Sequence, residues 1–279
     1  MAPVALLRIF LKVNKTKPQG RFSFTDMDRR EDKMLRLVST MMALFIMSFY
    51  DVTHAEVLSN MNMDSPGSAS LPANEFYPDG KLRKEYVLEK NDIVCKSYFR
   101  TGKLFAERRF IGAAHDQGLV KSFYPNGQLR AQGRFKGNKL EGQTQGFSGD
   151  GILNVEANYK EGKRDGIYRE YYPTGQVSSE RTYQDGKMDG AWKEYYDNGT
   201  LHSEVVYKNG RQEGSFKIYY PNGKLKYSDN YRSSQLKDRK LYTPEGQVTT
   251  EYKFENGQLV KYREYDPQGK VLLERQGWQ

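Results

Sequence analysis

Beyond residue 55 long aliphatic runs are almost absent, and single apolar positions recur instead at fixed offsets among polar ones. One glycine marks the beat: Gly80, Gly102, Gly127, Gly151, Gly175, Gly199, Gly223, Gly246 and Gly269, at intervals of 22 to 25 residues. Four residues before each stands an aromatic: Phe76, Tyr98, Phe123, Phe147, Tyr171, Tyr195, Tyr219, Tyr242 or Tyr265. Two residues after it stands an aliphatic: Leu82, Leu104, Leu129, Leu153, Val177, Leu201, Leu225, Val248 or Val271. A unit of this length with turn residues at its centre is the signature of a repeat array. The pattern predicts an all-β fold, an elongated meander of about nine stacked antiparallel β-hairpin repeats over residues 74–279.

The turn chemistry specifies the hairpin. Proline stands two residues before the glycine at Pro78, Pro125, Pro173, Pro221, Pro244 and Pro267, commonly with a polar residue between, as in Pro125-Asn126-Gly127. Proline presets the first central position of a type I turn, asparagine suits the second, and glycine takes the left-handed position that follows. The result is a three-residue loop with a bulge at glycine, and it sets the aromatic opposite the aliphatic residue. A two-residue turn would instead set the basic residue six before glycine against the acidic one five after it, Lys193 against Glu204 for example. Proline, which lacks an N–H, favours the first register.

A second turn closes each unit, as in Asp185-Gly186-Lys187-Met188-Asp189-Gly190, just after another aromatic such as Tyr159, Tyr183 or Tyr207. Residues 85–97 lack this glycine turn, and Ser233-Ser234-Gln235 replaces it further on. A lone hairpin is marginally stable, so neighbouring units must cover one another.

Residues 34–55 read as an export signal. Lys33 and Arg36 form a basic start, Leu37 to Tyr50 an apolar stretch, and Thr53-His54-Ala55 a cleavage site between Ala55 and Glu56. The apolar stretch is short for a membrane span, which favours a cleaved signal over an anchor. On this reading residues 1–33 are an upstream extension absent from the mature protein, and 56–73 is a linker. The expected location is the periplasm or the cell exterior.

Composition narrows the function. The net charge is +9, but residues 1–55 hold nine of the basic and five of the acidic residues. The remainder alternates Lys with Glu rather than gathering charge, which argues against a nucleic-acid footprint. Cys95 is the only cysteine, so an intramolecular disulfide and a thiolate metal site are excluded. It falls where other units carry Tyr168, Trp192 or Phe216, a packing position. The histidines, His54, His115 and His202, have no recurring partner that would make a nucleophile and base. The acidic residues five after the glycine in seven of the nine units, Glu85, Glu107, Glu156, Glu180, Glu204, Glu251 and Glu274, recur with the unit, as structural residues do. No enzyme activity, cofactor or metal is expected.

The unit Tyr183–Leu201, Tyr-Gln-Asp-Gly-Lys-Met-Asp-Gly-Ala-Trp-Lys-Glu-Tyr-Tyr-Asp-Asn-Gly-Thr-Leu, resembles the bacterial variant of the MORN repeat. The same variant characterises proteins labelled as YwqK-family antitoxins. The resemblance implies stacked β-hairpins serving protein interaction or scaffolding, sometimes contact with membrane lipid, and, through the antitoxin label, neutralisation of a partner protein. The expected function is an exported interaction scaffold with another protein as ligand; binding of an envelope glycan or lipid is the alternative.

Doubled aromatics mark the central units, 159–223, as the candidate binding surface: Tyr171-Tyr172, Tyr195-Tyr196 and Tyr219-Tyr220. Adjacent strand residues face opposite sides. The first of each pair is expected to pack inward, leaving Tyr172, Tyr196 and Tyr220 as an outward ladder for a partner.

Overall fold

A computed structural model describes residues 71–112 and 114–277, together with Leu58. The export signal, the Ala55–Glu56 cleavage site and the extension 1–33 lie outside the described residues, as does most of the linker.

Among the described residues eighteen strands follow one another in chain order. They are β1 (Glu75–Phe76), β2 (Leu82–Glu89), β3 (Asp92–Tyr98), β4 (Leu104–Ile111), β5 (Gln117–Phe123) and β6 (Leu129–Lys136). Then come β7 (Lys139–Phe147), β8 (Leu153–Lys160), β9 (Lys163–Tyr171), β10 (Val177–Gln184), β11 (Lys187–Tyr195) and β12 (Leu201–Lys208). Last are β13 (Arg211–Tyr219), β14 (Leu225–Arg232), β15 (Gln235–Tyr242), β16 (Val248–Glu255), β17 (Gln258–Tyr265) and β18 (Val271–Gln276). Each pairs antiparallel with the next, giving one open sheet of the expected all-β meander.

The first turn forms as its sequence dictates. All nine glycines have φ between 80° and 95°. In the unit of Gly199, its N–H donates to the Tyr196 carbonyl (2.9 Å), and the Tyr196 N–H donates to the Thr200 carbonyl (2.8 Å). This is the three-residue loop with its bulge, and it pairs Tyr195 with Leu201. The same pairing recurs from Phe76 with Leu82 to Tyr265 with Val271.

The charged register, expected only under the alternative turn, is also present. One extra residue, His202 in this unit, bulges out of the second strand, so Tyr195 faces Leu201 while Lys193 faces Glu204. The two registers are consecutive stretches of the same hairpin.

The second turn is a two-residue mirror-image turn, with Asp185 (φ 49°) and Gly186 (φ 80°) both left-handed. Where glycine is missing the turn persists: Ser233 and Ser234 take φ 52° and 60°, and Glu89 still pairs with Asp92. Beyond it, Asp189-Gly190-Ala191 bulges opposite Thr182. Gly190 is required there, at φ 125° and with Thr182 Cβ 3.0 Å from where its own Cβ would stand.

One face buries the aromatic and aliphatic side chains. Its central row runs Tyr168–Arg181–Trp192–Val205–Phe216–Asp229–Arg239 from strand to strand. Cys95 occupies the same row, is buried as expected, and burial pushes its thiol up. Arginines close over the rings: the Arg181 guanidinium lies 4.9 Å from the Trp192 ring centre and 3.3 Å from Glu170. Buried Arg239 grips buried Asp229 at 2.9 and 3.1 Å. A buried charge persists only when paired in this way.

Candidate functional site

The opposite face carries a single row of charged residues that crosses almost the whole sheet. From β2 to β5 it reads Glu85, Lys96, Glu107, Lys121, each directly opposite the next. Gln132 and Gln145 form a neutral link, joined by a 2.8 Å hydrogen bond. From β8 to β13 the row continues Glu156, Arg169, Glu180, Lys193, Glu204, Lys217. Ser228 interrupts it, and Lys240, Glu251, Arg263 and Glu274 complete it. The row exists because most units carry an acid five after the glycine and a base or glutamine six before it. Opposite charges placed directly across a ladder stabilise each other modestly.

Several of the rungs close as ion pairs. Arg169 meets Glu180 at 2.8 Å, Lys217 meets Glu204 at 2.8 Å and Lys240 meets Glu251 at 2.7 Å, with side chains 20 to 40% exposed. The tyrosine four before glycine lies on this face, two positions from the base. Its hydroxyl donates back to the acid of the preceding strand: Tyr171 to Glu156 (2.6 Å), Tyr219 to Glu204 (3.0 Å), Tyr265 to Glu251 (2.7 Å), Tyr98 to Glu85 (2.5 Å). Burial, followed by that bond to a carboxylate, pushes Tyr98 and Tyr171 up to about 12. The Tyr171 hydroxyl, in turn, holds Glu156 below the ordinary carboxylate range. At the end of the row Lys261, Gln276 and Arg263 hold Glu274 down to about 2.

The expected division of the doubled tyrosines is therefore reversed. Tyr171, Tyr195 and Tyr219 lie on the charged face. Strand alternation puts Tyr196 on the side of Trp192, where its ring centre is 4.7 Å from that of His202. All six tyrosines are half-buried. The hydroxyls of Tyr172, Tyr196 and Tyr220 donate to backbone carbonyls of the next unit. The residue three before glycine also meets the one three after it: Phe99 with Phe105 at 5.0 Å, Arg130 over Tyr124 at 5.5 Å, Lys226 over Tyr220 at 5.6 Å. These contacts escaped sequence reading because the bulge shifts the register by one residue beyond the loop.

At the other end of the hairpins, an acid from one unit holds the turn of the next. The backbone N–H of Glu161 donates to Glu141, Asp185 to Asp165, Asn209 to Asp189 and Ser233 to Glu213, at 2.9 to 3.2 Å. Of the predicted histidines, His202 Nδ1 lies 3.8 Å from Glu194, and His115 sits in the β4–β5 turn.

Residues 116–136, 164–185, 188–209 and 212–233 match the MORN repeat variant. No curated protein matches the chain. Solved structures share partial similarity. A mutant of S. aureus TarM, in complex with fondaparinux, alpha-GlcNAc-glycerol and UDP, is 16% identical with a TM-score of 0.29; the match covers 38% of this chain and 21% of that one. Accessory secretory protein 1, 2 and 3 of Streptococcus pneumoniae gives 15% identity and a TM-score of 0.17, covering 50% and 23%. The Photorhabdus luminescens Tc holotoxin pore, mutated in TccC3, gives 12% and 0.20, covering 75% and 16%. This chain thus spans less than a quarter of the length of each.

Proposed function

We propose that this chain, four stretches of which match the MORN repeat variant, is an exported, non-catalytic scaffold that binds another protein on its charged face. The observation that carries this reading is the continuous acid–base row with its flanking tyrosines, on a face over which the described residues place no second layer. Rungs already held by neighbours lose little freedom on binding, and alternating charges reject a partner whose charges are out of phase. Tyrosine adds a large apolar surface with a polar tip. The export part of the reading rests on residues 34–55.

The test is capture of protein from envelope extracts by the wild-type chain and by a variant with Lys193→Glu and Lys217→Glu, each checked by circular dichroism. Loss of capture with the fold intact is expected, and crosslinks should fall on the charged face. Undiminished capture by the variant, or binding to a glycan or liposome panel in its place, would overturn the protein-scaffold reading. Mass spectrometry of the native protein should find Glu56 at the mature N-terminus. Peptides from 1–33 in the mature soluble form would sink the export reading.

A further inference from the structure

We propose that the charge row has an open rung at Ser228, which receives a carboxylate from an acidic segment of the partner protein. This rests on the reading that a protein binds the charged face, and it names the chemistry which that face selects. Seven of the nine units carry a glutamate five residues after the turn glycine; in the unit of Gly223 that place falls to Ser228. Ser228 stands directly opposite Lys217 on β13 and Lys240 on β15. Lys193 lies between two acids, Glu180 and Glu204, whereas Lys217 faces an acid only at Glu204 and Lys240 only at Glu251. The row's other neutral place is filled, because the Gln132 amide bonds to that of Gln145.

The groups around Ser228 are those that hold a carboxylate elsewhere in the row. Glu204 accepts from Lys217 at 2.8 Å and from Tyr219 at 3.0 Å. Glu251 meets Lys240 at 2.7 Å and accepts from Tyr265 at 2.7 Å. The tyrosine in that place beside Ser228 is Tyr242, whose hydroxyl meets the serine hydroxyl at 3.4 Å, long for a hydrogen bond. Serine ends one atom beyond Cβ, where glutamate continues through a second methylene to its carboxylate. The strands of Lys217 and Lys240 are two spacings apart, roughly 10 Å, so both side chains can close over a single carboxylate. Both lysines are accessible, at 36 and 40% exposure.

The surroundings favour an anion. Residues 224–240 hold six basic residues against two acidic ones. Of those two, Asp229 is buried against Arg239, and Asp238 accepts from Asn230 at 3.3 Å. A local excess of positive charge draws an acidic group toward the opening. The opening is one residue wide, with Glu204 and Glu251 standing one rung beyond the lysines. An anionic membrane surface would press its charge against those acids as well, and like charges set together are costly. A protein can place one acid between the lysines and none against the glutamates.

The probes are tetraglutamate and tetraglutamine peptides, added to the full chain at low salt. Tetraglutamate should bind and tetraglutamine should not, with amide chemical shifts moving at Lys217, Ser228 and Lys240. Ser228→Glu closes the rung from within. It should weaken tetraglutamate about fivefold or more, since an exposed attraction gives way to a repulsion. It should also raise the melting temperature, because the missing pair is supplied, and a damaged fold would not do both. Thr174→Glu puts the same charge on an exposed loop and should leave the affinity unchanged. Shifts in the wild-type chain test the placement without any variant. Shifts centred elsewhere, equal affinity of wild type and Ser228→Glu, equal binding of the two peptides, or none at millimolar peptide would each overturn the proposal. Preference for phosphatidylglycerol vesicles or inorganic phosphate would assign the opening to another anion, and self-association abolished by Ser228→Glu to a second copy; either overturns it. Protein capture lost on Lys193→Glu with Lys217→Glu but undiminished by Ser228→Glu would overturn this proposal alone and leave the charged-face reading standing.

Discussion

The Tyr172 hydroxyl donates to the Tyr195 carbonyl at 2.7 Å, across the boundary between one repeat and the next. Tyr196 does the same to Tyr219 (2.9 Å), Tyr220 to Tyr242 (3.0 Å), Tyr77 to Tyr98 (2.7 Å) and Tyr124 to Phe147 (2.9 Å). The residue accepting the bond is the one that lies four before the next glycine, so each unit fixes the strand end that carries its neighbour's charged-face aromatic. Changing Tyr172, Tyr196 and Tyr220 together to Phe keeps the rings and removes three bonds. A loss of about 0.5–1.5 kcal/mol per bond is expected by thermal denaturation. Together changed to Ser, they should lower the melting temperature much further, because the ring contacts go as well. An unchanged melting curve with lost partner capture would instead return these residues to the binding surface.

Gly199 is the simplest test of the turn. It holds φ 82°, and nothing lies within 4 Å of where a Cβ would stand. Any loss on Gly199→Val is therefore conformational, of about 1–3 kcal/mol. Gly199→Asn should cost less, since asparagine tolerates the left-handed region. Because repeats contact only their neighbours, the loss should appear as faster amide exchange across β11 and β12 rather than uniformly. Equal stability of the Val and Asn variants would mean that the turn does not select glycine by its conformation.

The hairpin was legible because its determinants are local. Pro125-Asn126-Gly127 sets its own dihedrals, and the loop then sets Phe123 against Leu129. The faces of the paired tyrosines are not legible in the same way, because alternation separates Tyr195 from Tyr196 without saying which side of the sheet is covered. The bulge at His202 lets the loop register and the ladder register coexist, and the burial that would tell one face from the other depends on which side the arginines close. Arg181 over Trp192 is a charged residue in a core row, a placement that hydrophobic patterning assigns to solvent. The charge row was visible only as a recurring residue type. That Lys193 stands opposite Glu180 on one side and Glu204 on the other depends on the second, two-residue turn, whose bulge at Asp189-Gly190-Ala191 restores the phase.

That second bulge makes Asp189 a link between units. Its carboxylate accepts the Asn209 N–H at 3.2 Å and meets Lys208 at 2.9 Å, and both hold it below the usual carboxylate range, Lys208 foremost. Asp189→Ala should accelerate exchange of the Asn209 amide and loosen the β12–β13 turn while leaving the Gly199 turn unchanged. Asp189→Asn should fall between, because the amide oxygen can still accept from the backbone. Identical exchange at Asn209 in all three proteins would show that the backbone turn alone fixes the stack.

The charge row also predicts how stability follows pH. Glu156, Glu204, Glu251 and Glu274 lie below the ordinary carboxylate value of 4.5 in the folded chain, Glu274 at about 2. The unfolded chain therefore takes up protons first as pH falls, and linkage makes stability fall with it. Their contribution is complete above pH 4.5 and fades below it, the last part disappearing as Glu274 titrates near 2. On the alkaline side the sign is opposite. Tyr98 and Tyr171 are raised from 10.0 to about 12, so the unfolded chain loses those protons first. Their contribution is present below pH 10.0 and lost between there and about 12. The melting temperature should thus form a plateau that falls on both sides. Tyr171→Phe should shrink the alkaline limb by removing its titration, and the acid limb by freeing Glu156. Glu274→Gln should remove the most acidic part of the decline and leave the alkaline limb alone. Because the rungs are partly exposed, raising ionic strength should flatten the acid limb. An acid limb unmoved by both Glu274→Gln and salt would mean that the row does not contribute to stability.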